Sequence, residues 1–300
     1  MNMIGKYQNG NYSVTILDDG TKIRENDLDF FSPEKPESMD LKITNCCSIG
    51  CPYCHENSTP DGKHGDILNA PFLDTLLPYT ELAIGGGNPL SHPDLIPFLV
   101  ELKNRKLIPN MTVNQYHFLK YKDDLKKLCD NKLIYGLGVS LTAVTDELIE
   151  ALKEFPNAVL HVINGIVTMP ELDRLAGNNL KILILGYKTF RRGEKFYERN
   201  SEEVDELKGD LDRYLFSDII RREWFKVVSF DNLAIKQLRV QEQMPKEQWD
   251  KFYMGDDGGF TMYVDMVNRE FAKSSTSTER WPITNDIKEM FDKVRGKANE

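Results

Sequence analysis

The sequence lacks any long hydrophobic run. None of its 300 residues belongs to a stretch of about 18 or more consecutive apolar residues, which is the length that a membrane-spanning helix needs. Met1 to Gly20 is polar and acidic, whereas a secretory signal peptide has a basic stretch followed by an apolar one. We therefore expect neither a membrane span nor a signal peptide.

Cysteine is scarce and unevenly placed. Four of the five cysteines are Cys46, Cys47, Cys51 and Cys54, the fifth is Cys129, and residues 186–300 contain none. This distribution does not suit a disulfide framework in a chain of this size, so we expect a reducing, cytoplasmic location. It also excludes additional cysteine-ligated clusters in the carboxyl-terminal region.

Positive charge is in deficit as well. The formal net charge is -9, which disfavours broad attraction to phosphate backbones and makes nucleic acid an unlikely partner. The chain is 40% apolar, enough for one large core or one core with a small appendage.

Short apolar runs alternate with longer amphipathic runs through the middle of the chain. The predicted strands are Leu41 to Thr44, Leu82 to Ile84, Met111 to Val113, Leu137 to Leu141, Val159 to Ile163 and Ile182 to Leu185. The predicted helices are Pro71 to Leu77, His92 to Arg105, Lys120 to Asp130, Asp146 to Glu154 and Met169 to Ala176. This rhythm predicts an α/β fold, a partial (β/α)6 barrel of parallel strands with right-handed crossovers.

Three regions are expected. Residues 1–38 form an amino-terminal hairpin and linker, residues 39–215 the partial barrel, and residues 216–300 a carboxyl-terminal extension with a hairpin and a terminal helix packed against the sheet. The strand pair around Phe260 to Lys273 would close the open barrel or hold an extended peptide at its edge.

Three thiols follow the first predicted strand on one loop, at Cys47, Cys51 and Cys54. Thiolates are the usual ligands of iron in iron-sulfur clusters. The alternative is a zinc site with Cys46 or His55 as fourth ligand, although no second cysteine or histidine pair follows in the sequence.

The Cys-x3-Cys-x2-Cys spacing after a first barrel strand resembles the radical SAM superfamily. The resemblance implies that Cys47, Cys51 and Cys54 bind a [4Fe-4S] cluster whose fourth iron chelates the amino and carboxylate groups of S-adenosylmethionine. An electron from the cluster then cleaves the carbon-sulfur bond to give an adenosyl radical. An aromatic residue precedes the last cysteine in that family and packs beside adenine, a role that falls to Tyr53.

The second strand runs into Gly85-Gly86-Gly87-Asn88-Pro89. This segment resembles the Gly-Gly-Glu-Pro segment of the same family, which implies that Gly86, Gly87 and Asn88 hold the methionine amino group of the cofactor. Asn88 stands where the family usually has Glu, so its amide accepts from an ammonium without the full charge-assisted strength.

Later strand ends offer three further groups for the cofactor. Asn114 follows the third strand, and Ser140 lies at the end of the fourth; both would bind its ribose or carboxylate, or else act as strand-end caps. Ile166 follows the fifth strand and would pack against adenine or belong to the core.

The resemblance implies hydrogen abstraction from a substrate carbon, with electrons from a donor such as flavodoxin or ferredoxin. The substrate is a peptide in one interpretation and a small metabolite or nucleotide in another, and a metal-stabilised binding module is the non-enzymatic alternative. No side chain is predicted to be catalytic. Four further residues follow the sixth strand: Tyr187, Lys188, Arg191 and Arg192. They would receive a carboxylate, a phosphate or a peptide backbone, or form a solvated turn.

Overall fold

A small antiparallel sheet opens the chain. The computed structural model describes residues 2–296, and the first sheet consists of β1 (Met3–Asn9), β2 (Tyr12–Leu17) and β3 (Lys22–Glu25). The predicted hairpin is present as β1 and β2, which pair across a turn at Gly10, where φ is 61°. The sequence prediction missed β3, a short strand of mostly charged residues.

Six parallel strands form the centre of the large sheet, in the order in which they occur in the chain. They are β4 (Ser38–Thr44), β5 (Glu81–Gly86), β6 (Ile108–Asn114), β7 (Gly136–Ser140), β8 (Ala158–Ile163) and β9 (Lys181–Leu185). Each contains one predicted strand, apart from a residue at the end of the fourth. The predicted partial barrel of six parallel strands is confirmed.

Four more strands extend the sheet at its two ends. They are β10 (Val227–Phe230), β11 (Thr261–Asp265), β12 (Glu270–Ala272) and β13 (Trp281–Pro282). β10 is parallel to β9, and β11 is parallel to β4, with β12 and β13 antiparallel beyond it. The predicted carboxyl-terminal hairpin is therefore part of the sheet and does not pack on its face. The domain boundary at residue 215 stays a prediction.

Helices cover the outer face of the sheet. They are α1 (Leu95–Asn104), α2 (Gln115–Lys120), α3 (Lys122–Asp130), α4 (Asp146–Lys153), α5 (Met169–Leu175), α6 (Arg192–Tyr214), α7 (Asn232–Gln237), α8 (Val240–Gln243), α9 (Lys246–Phe252) and α10 (Ile287–Val294). The predicted helix at Pro71 is only a 3-10 turn (Pro71–Thr75), because Pro78 disfavours helical backbone just before it. In the described part of the chain, no helix is both long and apolar enough to cross a bilayer.

The central sheet curls around a polar lumen. Along β4, Met39, Leu41 and Ile43 are buried in the main hydrophobic core, so the alternate residues Asp40 and Lys42 point to the other face. Six flat strands at about 4.8 Å spacing would separate β4 from β9 by roughly 24 Å. Lys188, just after β9, nevertheless lies only 3.5 Å from His55 in the loop after β4, measured between Nζ and Nε2. The strand ends therefore surround one common space.

Candidate cofactor site

The three predicted ligands lie on a loop that is folded back on itself. This cluster loop, residues 45–66, begins after β4, and backbone hydrogen bonds close its base. Asn45 N donates to Lys63 O (2.8 Å), Cys47 N to Thr59 O (2.8 Å) and Thr59 N to Asn45 O (3.0 Å). Gly50 has a φ of 70°, a left-handed conformation that glycine adopts without strain and that turns the chain before Cys51.

Cys47, Cys51 and Cys54 all lie on the cluster loop, and their role as ligands of one cluster stays a prediction. All three are half-buried free thiols, and Cys54 N donates to Cys51 O at 3.3 Å. Burial raises the pKa of Cys47 and of Cys51, and the neighbouring thiols raise both values further, while Arg192 partly offsets the effect. The three thiols of the loop therefore lie in a partly buried environment near the guanidinium of Arg192.

The fourth ligand required for a zinc site is not in place. The Cys46 thiol donates to Pro60 O (3.2 Å) within the loop, and His55 Nε2 lies 3.4 Å from Glu56 Oε1. Among residues 2–296 no three His, Cys, Asp or Glu side chains surround a common metal position. A tetrahedral zinc ion needs such convergence of its ligands.

The glycine run packs directly on the cluster loop. Gly86 has a φ of 111°, and a Cβ atom there would lie 2.4 Å from Thr44 O. A Cβ atom on Gly87 would lie 2.4 Å from Cys46 O. Gly87 N and Asn88 N each donate at 2.7 Å, to Thr44 O and Cys46 O. At these two positions glycine permits the close approach that joins the two motifs.

Gly85 has a different environment, because no heavy atom lies within 4 Å of the place where its Cβ would be. It stands in β5 beside Lys42 of β4, on the lumen face of the sheet. A strand glycine that borders open space lets a ligand approach the backbone. The end of β5 therefore offers room for a cofactor next to the three thiols.

Asn88 already has a structural role. Its side chain is buried, and Oδ1 accepts a hydrogen bond from Leu90 N (3.3 Å) at the start of the 3-10 turn Pro89–Ser91. An amide oxygen has two lone pairs, so one remains for another donor. Binding of the cofactor amino group by Asn88, Gly86 and Gly87 stays a prediction.

The other predicted cofactor residues lie at strand ends or in the cluster loop. Asn114 caps α2 by accepting from Tyr116 N (2.9 Å), which is the strand-end role considered as its alternative, and its Nδ2 donates to Thr142 Oγ1 (3.0 Å). Ser140 is its register partner on β7. Ile166 and Tyr53 are half-buried, and Tyr53 packs edge-on against Phe196 at 5.8 Å between ring centroids. Their roles toward a cofactor stay predictions.

A buried ion network supports the cluster loop, and the sequence analysis missed it. Lys42 Nζ lies 2.9 Å from Glu56 Oε2 and 3.1 Å from Asp265 Oδ2, and Tyr263 Oη donates to Glu56 Oε1 (3.3 Å). Burial alone would raise the pKa of Glu56, but His55 and Lys42 hold it well below its usual range. The available signal was the alternation along β4, in which Asp40 and Lys42 stand between the apolar residues Met39, Leu41 and Ile43.

The segment after β9 contacts the cluster loop and is not a solvated turn. Tyr187 is buried, and its hydroxyl donates to Gly193 O (2.7 Å). Arg191 Nη1 donates to Glu56 O (3.0 Å), and Arg192 Nη1 donates to Cys51 O (3.1 Å). The three side chains are engaged within the protein, which contradicts the prediction that they are free to receive a substrate.

Lys188 is the exception, because it faces the lumen. Its Nζ donates to Ser275 Oγ (3.1 Å) and lies 3.5 Å from His55 Nε2. Desolvation, together with Lys188, lowers the pKa of His161 on β8 to about 4. Asp40 is open to solvent in the lumen, yet desolvation by the surrounding barrel raises the pKa of its carboxyl group to about 6, and Lys188 opposes the rise. The lumen thus brings Lys188, Asp40 and His161 near one another.

Comparisons with known proteins agree with this architecture. The solved structure of Streptococcus suis SuiB bound to precursor peptide SuiA superimposes with a TM-score of 0.65 at 12% identity, over 97% of this chain and 88% of that one. SuiB bound to S-adenosylmethionine gives a TM-score of 0.60 at 12% identity, over 92% and 84%. The chain has the SuiB fold. At this identity the likeness establishes the fold alone.

A local sequence match points in the same direction. Over 84 residues the chain is 26% identical to PqqA peptide cyclase of Gluconobacter oxydans (strain 621H), which is 26% of this chain and 24% of that protein. The match thus spans about a quarter of the length of this curated relative. No protein-family model matches the chain. The two comparisons support the resemblance to the radical SAM superfamily.

Proposed function

We propose that the chain is a radical SAM enzyme that modifies a peptide. The observation that supports this proposal is the packing of the cluster loop, which carries Cys47, Cys51 and Cys54, against the Gly87–Asn88 backbone at neighbouring strand ends. Parallel α/β folds use the carboxyl ends of their strands for function. SuiB, whose fold the chain shares, has been solved with S-adenosylmethionine and with a precursor peptide.

Each half of the site has a separate task in this proposal. The three thiolates would hold a [4Fe-4S] cluster, and Gly86, Gly87 and Asn88 would hold the amino end of S-adenosylmethionine, with Tyr53, Asn114, Ser140 and Ile166 around the rest of the cofactor. When S-adenosylmethionine is bound and an electron donor such as flavodoxin or ferredoxin has reduced the cluster, the two groups would supply an adenosyl radical that abstracts hydrogen. A reducing cytoplasm would keep the thiols available.

The remaining task of the chain is to orient the substrate carbon and exclude water. Asp40, His161 and Lys188 line the lumen, where they would contact the part of the substrate that enters the barrel. Hydrogen bonds to Tyr187, Arg191 and Arg192 keep the rim of the lumen ordered.

A peptide is favoured over a small metabolite or nucleotide because the two similar proteins bear the names PqqA peptide cyclase and SuiB bound to a precursor peptide. A metal-stabilised binding module is the non-enzymatic alternative, and it would release no 5′-deoxyadenosine in the experiment below.

Anaerobic reconstitution tests the proposal. Protein treated with iron and sulfide, then with dithionite and S-adenosylmethionine, should release 5′-deoxyadenosine, measured by mass spectrometry. Cys51→Ala should abolish both the cluster chromophore and this product. Cys129→Ala is the matched control, since Cys129 packs partly buried against the core at the end of α3, and it should keep both. Cluster retention in Cys51→Ala would refute the ligand assignment.

A further inference from the structure

The guanidinium of Arg192 binds the cluster loop at three points. Nη1 donates to Cys51 O (3.1 Å), Nε donates to the Asn57 side chain (3.0 Å), and Nη2 donates to Ser58 O. These acceptors lie before and after Cys54 in the sequence. Arg192 is the first residue of α6, so one side chain connects the helix to both arms of the ligand-bearing turn.

Arg191 reinforces the same connection at a cost in backbone strain. Its Nη1 donates to Glu56 O (3.0 Å) and lies 3.5 Å from Glu56 Oε2. Its backbone has a φ of 54° and a ψ of -118°, a conformation that disfavours residues other than glycine. Two successive arginines therefore contact one loop. Glycine at position 191 would relieve the backbone strain, but it would lack the side chain that contacts Glu56.

The turn that Arg192 holds has few backbone hydrogen bonds of its own. Between Cys51 and Ser58 they are the bond from Cys54 N to Cys51 O (3.3 Å) and the bond from Asn57 N to Cys54 O (3.2 Å). Both are long for N–H···O bonds, and Asn57 has a φ of 55°. A ligand loop of this kind depends on surrounding groups to fix its side chains.

We propose that Arg192 is a positioning residue for the cysteine ligands: its guanidinium fork fixes the turn between Cys51 and Ser58, so that Cys51 and Cys54 are held ready for one cluster. The cluster itself rests on the proposed function, whereas the hold on the loop does not. Two of the three acceptors are backbone carbonyl oxygens, so the role is geometric. It requires the planar fork, which lysine lacks.

Hydrogen exchange on the apo protein tests the hold directly. We compare wild type, Arg192→Gln and Arg192→Lys, with Arg199→Gln as the matched control, because Arg199 is an exposed arginine on the same helix. Peptides covering residues 45–66 should exchange roughly tenfold faster in both Arg192 variants, and as in wild type in the control. Unchanged thermal unfolding and unchanged exchange at β5 to β9 verify that each variant is folded.

Cluster retention is the second readout. After anaerobic reconstitution, the chelator concentration that removes half of the iron should fall by about 10-fold to 100-fold in both Arg192 variants. Wild-type exchange at residues 45–66 in Arg192→Gln would overturn the proposal, and so would full rescue by Arg192→Lys. Failure of wild type itself to take up a cluster would refute the proposed function, while faster loop exchange in the variants would still show the hold on the loop.

Discussion

Lys42 and Glu56 form an ion pair beneath the cluster loop, with 2.9 Å between Lys42 Nζ and Glu56 Oε2 and with both side chains buried. Lys42 belongs to β4, and Glu56 comes two residues after the last cysteine of the loop. The pair therefore ties the loop to the strand from which it emerges. Asp265 of β11 completes the arrangement at 3.1 Å from Lys42.

Removal of Lys42 should destabilise the fold. Lys42→Met leaves the buried Asp265 without its cation. Glu56 keeps Arg191 at 3.5 Å and His55 at 3.4 Å, and breaking a buried pair on one side costs about 3–5 kcal/mol. Urea unfolding measures the change. The control is Lys153→Met, which removes an exposed pair with Glu150, and about 0.5 kcal/mol or less is expected for it. Equal small losses in both variants would show that the buried pair is not important.

Asp40 should make the stability of the fold depend on pH. Its side chain is open to solvent in the lumen, but desolvation by the surrounding barrel and the nearby carboxylates of Asp257, Asp231 and Glu56 raise its folded pKa to about 6, above the ordinary carboxyl value. A raised folded pKa contributes stability that is complete below the unfolded pKa and is lost as pH rises through the folded value. Urea unfolding of wild type and Asp40→Asn between pH 4 and 8 checks this.

The expected sign is specific for that comparison. Asp40→Asn should become more stable relative to wild type as pH rises from about 4 to above 6. The change should then level off, because the carboxyl group of wild type is fully ionised. A difference between the two proteins that is constant over this range would contradict the assigned environment of Asp40.

Alanine substitutions at two glycines of the run should distinguish the packing of the cluster loop from the access of the cofactor. In Gly87→Ala the new Cβ would lie 2.4 Å from Cys46 O, so the backbone must shift, at a cost of about 1–3 kcal/mol, and cluster retention should fall. In Gly85→Ala the new Cβ meets no protein atom within 4 Å, so thermal unfolding should match wild type. S-adenosylmethionine should bind Gly85→Ala more weakly in calorimetry. Normal binding there would place the cofactor elsewhere.

Asn88→Glu should strengthen cofactor binding. A carboxylate forms charge-assisted hydrogen bonds to an ammonium roughly twice as strong as those of neutral groups, so the Kd for S-adenosylmethionine should fall severalfold. Since residue 88 is buried, the apo variant should be less stable than wild type. Asn88→Gln changes length without charge and serves as control. An unchanged Kd in Asn88→Glu would indicate that residue 88 does not contact the amino group.

Periodic and local features of this chain are readable from its sequence. The six parallel strands follow from apolar runs, and the thiol loop from the spacing of Cys47, Cys51 and Cys54, because both signals lie within short segments. Helix limits were less accurate where one residue decides them. Tyr121, with φ -113° and ψ 25°, separates α2 from α3, so the predicted helix from Lys120 to Asp130 corresponds to α3 and takes in only the last residue of α2, which the sequence prediction missed.

Contacts between distant segments were not readable. Lys42 meets Asp265 because the sheet places β11 beside β4, and it meets Glu56 because the cluster loop folds back on β4. No local pattern specifies either arrangement. Arg192 looked like part of a solvated turn, since its charge alone gives no indication of the carbonyl groups that it binds. The segment after β9 contacts the cluster loop because the sheet curves into a barrel. That curvature depends on all the strands of the sheet.

Electron paramagnetic resonance of the anaerobically reconstituted, reduced protein tests the central claim most directly. The account predicts about four irons and four sulfides per chain, a reduced-cluster signal that changes when S-adenosylmethionine is added, and loss of the signal in Cys51→Ala but not in Cys129→Ala. A protein that takes up no cluster, or one whose signal does not respond to S-adenosylmethionine, would contradict it.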